Sequence, residues 1–507
     1  MKIFTNDALR LIGDKTIDKQ NITMLDLIER AASAVTYELI SRWRTSKRFV
    51  IFAGPGDNGA DALAVARMLY EQGYRPEVYL FNIKSAHLSE CCLTNRDRLV
   101  ETAGNNIDFV EVIQNFTPPE LNETDVVIDG LFGSGLRAPL KGGYTALVQY
   151  INASDAYVVS IDMPSGMFGE HNIDVDRRNI INADLTLTYH AHRLSFYFAE
   201  NAKHVGEVQV LDIDLDAESV AKTPADYFLF ERDNAHELMM PRNPFVNKYD
   251  NGTVLLVAGS YGMMGAAVLS ARSALRTGAG LVTVHAPRCG YQVIQTAIPE
   301  ALFEPDINEI VTSAIDSRRQ SYSVVALGPG IGTNDETLEA VDAFLKNFRR
   351  PCLLDADALN CIARRPMLLK NIPPRSVITP HAGEFDRLFG KHTTDEERLK
   401  RAIDVSRVYN ITIVLKGHYT MIVRSDGKVY INSTGNPGMA TPGSGDVLTG
   451  VIAALIAQGY NPDWAVVLGV YLHGMAGDMA AQQQGVYGMI ASDIIDNMGK
   501  AINDVMK

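Results

Sequence analysis

Short runs of β-branched and aromatic residues alternate along this chain with longer stretches whose apolar side chains recur every three or four positions. In the first half the strand-like runs are RFVIFA (48–53), EVYLF (77–81), DVVID (125–129), YVVSID (157–162), LTLTY (185–189) and EVQVLDI (207–213). Ahead of them, Leu25, Ile28, Ala32, Val35 and Leu39 fall at helical spacing and predict a helix from about Ile22 to Trp43. A second series runs TVLLVAG (253–259), LVTVHA (281–286), VVALG (324–328), CLLDA (352–356), VITP (377–380) and ITIVLKG (411–417). MIVRSDGKVYIN (421–432) predicts a hairpin with Asp426-Gly427 as a two-residue turn. Helices are expected from about Gly445 to Gly459 and again after Pro462. The helix expected at 265–277 is Ala- and Ser-rich on every face, which suggests burial without settling it. This alternation is the signature of βαβ units and parallel sheets. The polar and small run DAESVAKTPAD (216–226) reads as a seam, which gives α/β domains over 1–220 and 226–507. The two glycine-rich entry loops differ in spacing, so no internal repeat is inferred.

Composition narrows the classes. The 507 residues carry 47 basic and 60 acidic side chains, a formal charge of −13. Such a surface repels a phosphate backbone and argues against nucleic acid as a partner. No apolar run approaches the ~18 residues a membrane helix needs. Asn6, Asp7, Arg10 and Asp14 interrupt the place where a signal peptide keeps its apolar region. Five cysteines without a CxxC argue against a disulfide framework or zinc site and for a reducing compartment. The expectation is a soluble cytoplasmic protein acting on small molecules, with no nucleic-acid or membrane partner, and a homo-oligomer.

Glycine-rich loops follow several strands. In IFAGPGDNGAD the strand ends at Gly54-Pro55-Gly56 and a helix starts near Gly59. Backbone amides and a helix N-terminus converge on an anion in such a turn, although neither GxGxxG nor a Walker lysine is present. Asp129 closes DVVID ahead of GLFGSGLRAP, and Asp162 closes VVSID ahead of Met163-Pro164-Ser165-Gly166. In a parallel sheet these loops share the carboxyl edge where ligands bind. Asn58, Asp129 and Ser165 could gather there around a cation, with Asp162 as an acid/base candidate; alternatively each Asp caps the next helix or turn. His190 and His192, two apart, would share one face of a strand, a weak metal signal without a third ligand.

GPGDNGAD, DGLFGSGL and SIDMPSG resemble, in order, the loops of NAD(P)H-hydrate epimerases, and TLTYHAHRLSFYFAENAKHVGEVQVLDIDL resembles that family's closing strands. The likeness spans about residues 1–215. It implies a Rossmann-like three-layer α/β/α sandwich and inversion at C6 of hydrated NADH or NADPH. Asp162 would be the acid/base residue, and K⁺ would be held by Asn58, Asp129 and Ser165. The dinucleotide would contact Asp57, Asn58, Gly59, Ala60 and Asp61, and also Gly133, Ser134, Gly135, Leu136, Arg137, Ala138 and Pro139. Asp57, Ala60 and Ala62 stand where the family usually has Asn, Gly and Gly, and Arg193 where it has lysine.

Farther on, NPGMATPGSGD (436–446) runs into the helical VLTGVIAALIAQG. Gly443 to Gly445 can present consecutive amides to a phosphoryl group, and Asp446 would stand beside them as the base for a hydroxyl nucleophile. This is similar to the Gly-x-Gly-Asp signature of the ribokinase-like superfamily. VAGSYGMMGAAVLSARSALRTGAGLVTV, LGPGIG, LLDADALN, ITPHAGEFDRLFG and VLKGHYTMIV narrow the resemblance to nucleotide-dependent NAD(P)H-hydrate dehydratases over nearly all of 230–507. The resemblance implies that Ala266, Gly330, His381 and Asp446 contact the hydrated nucleotide. Lys416, Gly417, His418, Tyr419, Thr420 and Gly445 would contact the AMP portion of the co-substrate. Mg²⁺ is implied at this site, and the fusion of both activities favours ADP as phosphoryl donor. From the residues alone, His381 reads as a turn residue, and Asp355 and Asp357 read either as near a metal or as helix caps. The rival reading is a ribokinase-like kinase of a vitamin-precursor alcohol carrying a non-catalytic ligand-binding N-terminal domain.

Overall fold

The computed structural model describes residues 1–83, 88–114, 116–316 and 321–507. Two compact units divide the chain, Lys2–Ala225 and Asp226–Lys507, the latter together with Met1. The run 216–226 holds a short helix, Ala217–Lys222, whose first turn is capped by Asp216 accepting from the Ser219 amide at 2.6 Å.

In the first unit the strands order as Asp108–Val112, Glu77–Phe81, Phe49–Ala53, Val126–Gly130, Tyr157–Ile161, Leu185–Tyr189 and Glu207–Leu211, every neighbour parallel. Period-2 alternation gives each strand two apolar faces. Phe49, Ile51, Val126 and Ile128 pack with helices Met24–Arg42, Asp57–Glu71 and Glu90–Ala103. Val50, Phe52 and Val127 pack on the opposite side with Leu147, Val148 and Ile151 of helix Gly143–Asn152. The result is a three-layer sandwich. Strand order reverses between Phe49–Ala53 and Val126–Gly130, so the loops after these two strands face each other across the switch point, where open α/β sheets leave a ligand crevice.

The second unit repeats the rule on a different sheet. From Tyr227–Phe230 the order runs Val429–Asn432, Met421–Val423, Thr412–Leu415, Val377–Ile378, Leu353–Leu354, Val324–Leu327, Thr253–Val257, Leu281–Ala286 and Leu302–Pro305. Met421–Val423 is antiparallel to both neighbours and the other pairings are parallel. Here the reversal lies between Thr253–Val257 and Val324–Leu327, which sets the loops carrying Met263 and Gly330 against each other. The fold class expected from the sequence, two α/β bodies on largely parallel sheets, is the one observed.

Two local expectations are corrected. The hairpin turn is not two residues: Arg424 donates to Lys428 O at 2.9 Å, so Ser425-Asp426-Gly427 form a three-residue loop. Gly427 takes the left-handed conformation, φ 83°, and Asp426 accepts from the Lys428 amide at 3.0 Å. His190 and His192 do not lie on a strand. The strand ends at Tyr189, and His190 turns the chain at φ 62°. Among the described residues no three His, Cys, Asp or Glu side chains gather to hold a metal.

Helix Met264–Thr277 owes its small residues to its neighbour. Ala267, Ser270, Ala271, Ser273 and Ala274 are buried where helix Ser444–Ala457 approaches. A Cβ on Gly450 would lie 2.0 Å from Ser273 Oγ and 2.1 Å from Ser270 O. Gly450→Ala therefore has to push two helix backbones apart. The expected cost is about 1–3 kcal/mol, measured as an earlier thermal unfolding transition of the full-length protein.

Candidate active sites

The first site is a cavity of roughly 630 Å³ at the switch point of the first sheet, lined by Asn58, Asp61, Ser134, Arg137, Asp162, Tyr189 and neighbouring residues. Backbones meet here too closely for side chains. A Cβ on Gly54 would sit 1.8 Å from Leu131 O, and one on Gly59 1.8 Å from Gly54 O. Gly133 likewise leaves space at which Asp162 Oδ2 and Asn58 Oδ1 converge, 2.6 and 2.7 Å from where its Cβ would be.

Asp162 follows strand Tyr157–Ile161 in the left-handed region, φ 63°, and is 5% exposed. Its Oδ1 accepts from Arg193 Nη2 at 2.8 Å and its Oδ2 from the Ser134 amide at 2.7 Å. Arg193 is itself buried and donates to Ala191 O. Asp129 is wholly buried. Its oxygens accept from the Ser160 and Ser165 hydroxyls at 2.8 and 2.5 Å and from the Ser165 amide at 2.8 Å. Burial pushes its carboxyl above the ordinary range against those hydrogen bonds. Asp129 and Ser165 are thus in direct contact. Asn58 faces the same space beside Gly133 as Asp162, and its buried Nδ2 has no hydrogen-bond partner. Asp57, Gly133, Gly135 and Leu136 line the cavity. Gly59 and Ala60 are buried, Ala138 and Pro139 are exposed, and these four do not line it.

The second site forms at the head of helix Ser444–Ala457. Gly443 precedes the helix at φ 91° and Asp446 lies in its first turn. Lys416, just past strand Thr412–Leu415, donates to Asp355 Oδ1 at 2.9 Å and stands 3.9 Å from Glu384 Oε2. A Cβ on Gly445 would be 3.4 Å from Lys416 Nζ, so the ion pair lies directly against the helix start. Thr449 Oγ1 donates to the other Asp355 oxygen at 2.7 Å. Burial opposes the Lys416 charge, but Asp355 and Glu384 outweigh it and hold its pKa above the usual lysine value. Burial, aided by Asp355, pushes the Asp446 carboxyl up to about 6, with Lys416 pulling the other way.

Asp355, left open by the sequence, makes no capping bond to its own helix; it is the partner of Lys416. Asp357 accepts from the Gly332 amide at 3.0 Å. Sequence reasoning left Asp355 undecided and missed Glu384 as a site residue, although both lie in motifs that carried the resemblance, LLDADALN and ITPHAGEF. Ala266 and Gly330 touch: a Cβ on Gly330 would be 3.0 Å from Ala266 Cβ. His381 caps helix Ala382–Phe389, its Nδ1 accepting from the Gly383 amide at 3.0 Å, and its backbone bridges to Lys416. The turn after Lys416 is closed by Thr420 Oγ1 donating to Gly417 O at 3.2 Å. It exposes His418 and Tyr419, their rings edge-on at 4.4 Å.

Residues 254–500 match the NAD(P)H-hydrate dehydratase family, and residues 24–195 match the YjeF-related protein N-terminus. The chain is 32% identical to the bifunctional NAD(P)H-hydrate repair enzyme Nnr of Thermofilum pendens, over 99% of this chain and 96% of that protein. The chain belongs to the bifunctional NAD(P)H-hydrate repair enzymes. It is 35% identical to the Moorella thermoacetica repair enzyme over 89% of this chain and 86% of that one. Among solved structures, an ADP/ATP-dependent NAD(P)H-hydrate dehydratase of Bacillus subtilis, co-crystallised with ATP and Mg²⁺, is similar at 28% identity and a TM-score of 0.49, over 55% of this chain and 98% of that one.

Within this repair enzyme the raised Asp446 pKa is a statement about stability. A carboxyl whose proton is held more tightly when folded adds stability below the unfolded pKa near 4 and loses it as pH rises through about 6. Asp446→Asn should therefore stabilise the protein at pH 7.5 by up to about 3 kcal/mol and leave it unchanged at pH 4. Thermal melts of both proteins across that interval measure the difference.

Proposed function

We propose that the two sites divide the repair between them. The N-terminal cavity interconverts the R and S hydrates of NADH and NADPH, and the C-terminal site dehydrates the S form at the expense of ADP. The observation that carries the second assignment is a half-buried carboxylate, Asp446, set beside the amides of 443–445 with a paired lysine against them.

Hydroxide is a poor leaving group and phosphate a much better one. Asp446 takes the proton of the C6 hydroxyl, and the oxygen attacks the terminal phosphorus of ADP as the bond to AMP breaks. The amides of Gly443 to Gly445 stabilise the charge that develops on the transferring group. The ring nitrogen then expels phosphate, and loss of the C5 proton closes the double bond of NAD(P)H. Ala266, Gly330 and His381 are assigned to the hydrated nucleotide, and Lys416, Gly417, His418, Tyr419, Thr420 and Gly445 to AMP. Asp355 or Asp357, carboxylates beside the Lys416 turn and the Gly332 loop, would stand next to Mg²⁺. When bound, the ion neutralises phosphate charge.

In the cavity, Asp162 is the acid/base residue, oriented by Arg193 and the Ser134 amide. Asn58, Asp129 and Ser165 would hold K⁺. Asp129 is a buried carboxylate bonded only to hydroxyls and amides, and an oxygen-only donor set suits a hard cation that supplies the missing positive charge. The cavity residues of 57–61 and 133–137 are assigned to the dinucleotide. The kinase alternative is not the one the relatives favour.

Purified protein with ADP and Mg²⁺ should convert a mixture of both hydrates completely to NADH, followed at 340 nm; a plateau at half conversion removes the epimerase assignment. Asp446→Ala should abolish ADP-driven dehydration and leave epimer exchange intact, with Asp162→Ala giving the converse. Because the base must be ionised, the dehydration rate should fall tenfold per pH unit below about 6. Lys416→Met, which removes the group holding that pKa down, should move the acid limb to higher pH.

A further inference from the structure

We propose that Asp61 is the proton donor of the epimerase cavity and works against Asp162, expelling the C6 hydroxyl as water while Asp162 accepts the proton of the water that returns. This rests on the assignment of epimerisation to that cavity.

Asp61 lies one turn into helix Asp57–Glu71 and lines the same cavity as Asp162. It is 7% exposed, and its buried Oδ1 has no hydrogen-bond partner. Among the described residues no lysine or arginine pairs with it. The titratable groups around it are Asp57 of its own helix, Asp162 at the end of its strand, Tyr189 of strand Leu185–Tyr189 and Cys91 of helix Glu90–Ala103. The buried Tyr189 hydroxyl has no hydrogen bond of ordinary geometry, yet it stands near enough to Asp61 to draw that carboxyl down without offsetting its burial. None of these four side chains can carry a positive charge. Burial, and then the charges of Asp162 and Asp57, hold the Asp61 carboxyl well above the ordinary range. Asp162 has the opposite surroundings, a buried guanidinium on one oxygen and a backbone amide on the other. Two carboxyls share one cavity, one desolvated with no cation beside it and one bound by a guanidinium and an amide, and such a contrast of surroundings is the arrangement that divides acid from base.

The substrate chemistry calls for such a pair. C6 of the hydrate bears a hydroxyl next to the ring nitrogen. Asp61 gives its proton to that oxygen, the C6–O bond breaks with its electron pair leaving on water, and the nitrogen lone pair forms an N1=C6 double bond. Water then adds to the opposite face. A new C6–O bond forms, the double-bond pair returns to nitrogen, and the released proton goes to Asp162. The carboxyls have exchanged one proton, and transfer back through cavity water resets them. The reverse reaction uses the same residues with donor and acceptor exchanged.

The test uses full-length protein without nucleotide, the purified R hydrate of NADH in ¹⁸O-labelled water, and chromatography with mass detection of both epimers. The wild type should take up one ¹⁸O per inversion. Asp61→Asn should slow inversion at least 100-fold while its melting temperature and its ADP-driven dehydration of the S hydrate stay at wild-type levels. Should the Asn variant unfold, Asp61→Ser provides the same loss of an acid in a smaller side chain. Inversion by either folded variant within about tenfold of wild type overturns the role of Asp61. Inversion without ¹⁸O uptake overturns the expulsion step whatever the variants do. A wild-type protein that leaves the R hydrate untouched overturns instead the epimerase reading on which the proposal stands.

Discussion

Three carboxylates, Asp355, Glu384 and Asp446, crowd around Lys416 at the head of one helix, and Coulomb repulsion in a partly desolvated pocket would scatter them without that ammonium group. Its contact with Asp355 at 2.9 Å is fixed from both sides, since Thr449 holds the second oxygen of the same carboxylate. A buried pair of this kind adds little to stability, and removing one partner is what costs energy. Its value here is placement. Lys416 moderates the raised pKa of Asp446 rather than abolishing it, so the carboxyl stays weakly acidic enough to accept a proton near neutrality.

The N-terminal cavity uses the same device with different components. Asp162 is held in a strained left-handed turn by Arg193 and by the Ser134 amide. In each unit the reversal of strand order brings loops from non-adjacent segments together, so distant motifs in the sequence become neighbours at the site.

Much of this was legible before the structure. Fully buried strands such as Phe49–Ala53 and Val324–Leu327 announce themselves as unbroken apolar runs. Asp108–Val112 does not, because this edge strand carries Asp108 and Glu111 among its apolar residues and Asp108 and Val110 meet water. Tyr227–Phe230 is only four residues, too short for periodicity to identify. Leu353–Leu354 and Val377–Ile378 shrink to two residues because the chain turns at once into site loops. The site was read through glycine spacing and strand-end acids, which report where backbones approach. Pairings were less visible: nothing in LLDADALN says that its first aspartate reaches a lysine 61 positions on while its second bonds a loop amide. His381 carries a side chain suited to chemistry but spends its Nδ1 on two backbone amides, a choice that depends on ring orientation and not on sequence.

The contact at Gly450 reaches beyond packing. Helix Ser444–Ala457 carries Asp446, and helix Met264–Thr277 begins beside Ala266. The two pack closely at Gly450, against Ser273 Oγ and Ser270 O, and Ser270 Oγ donates to Asp446 O at 2.9 Å. Asp446 and Ala266, the residues proposed to meet the hydrated nucleotide, therefore sit on one close-packed helix pair. Room for a bulky dinucleotide between them would come more readily from the surrounding turns than from parting these two helices.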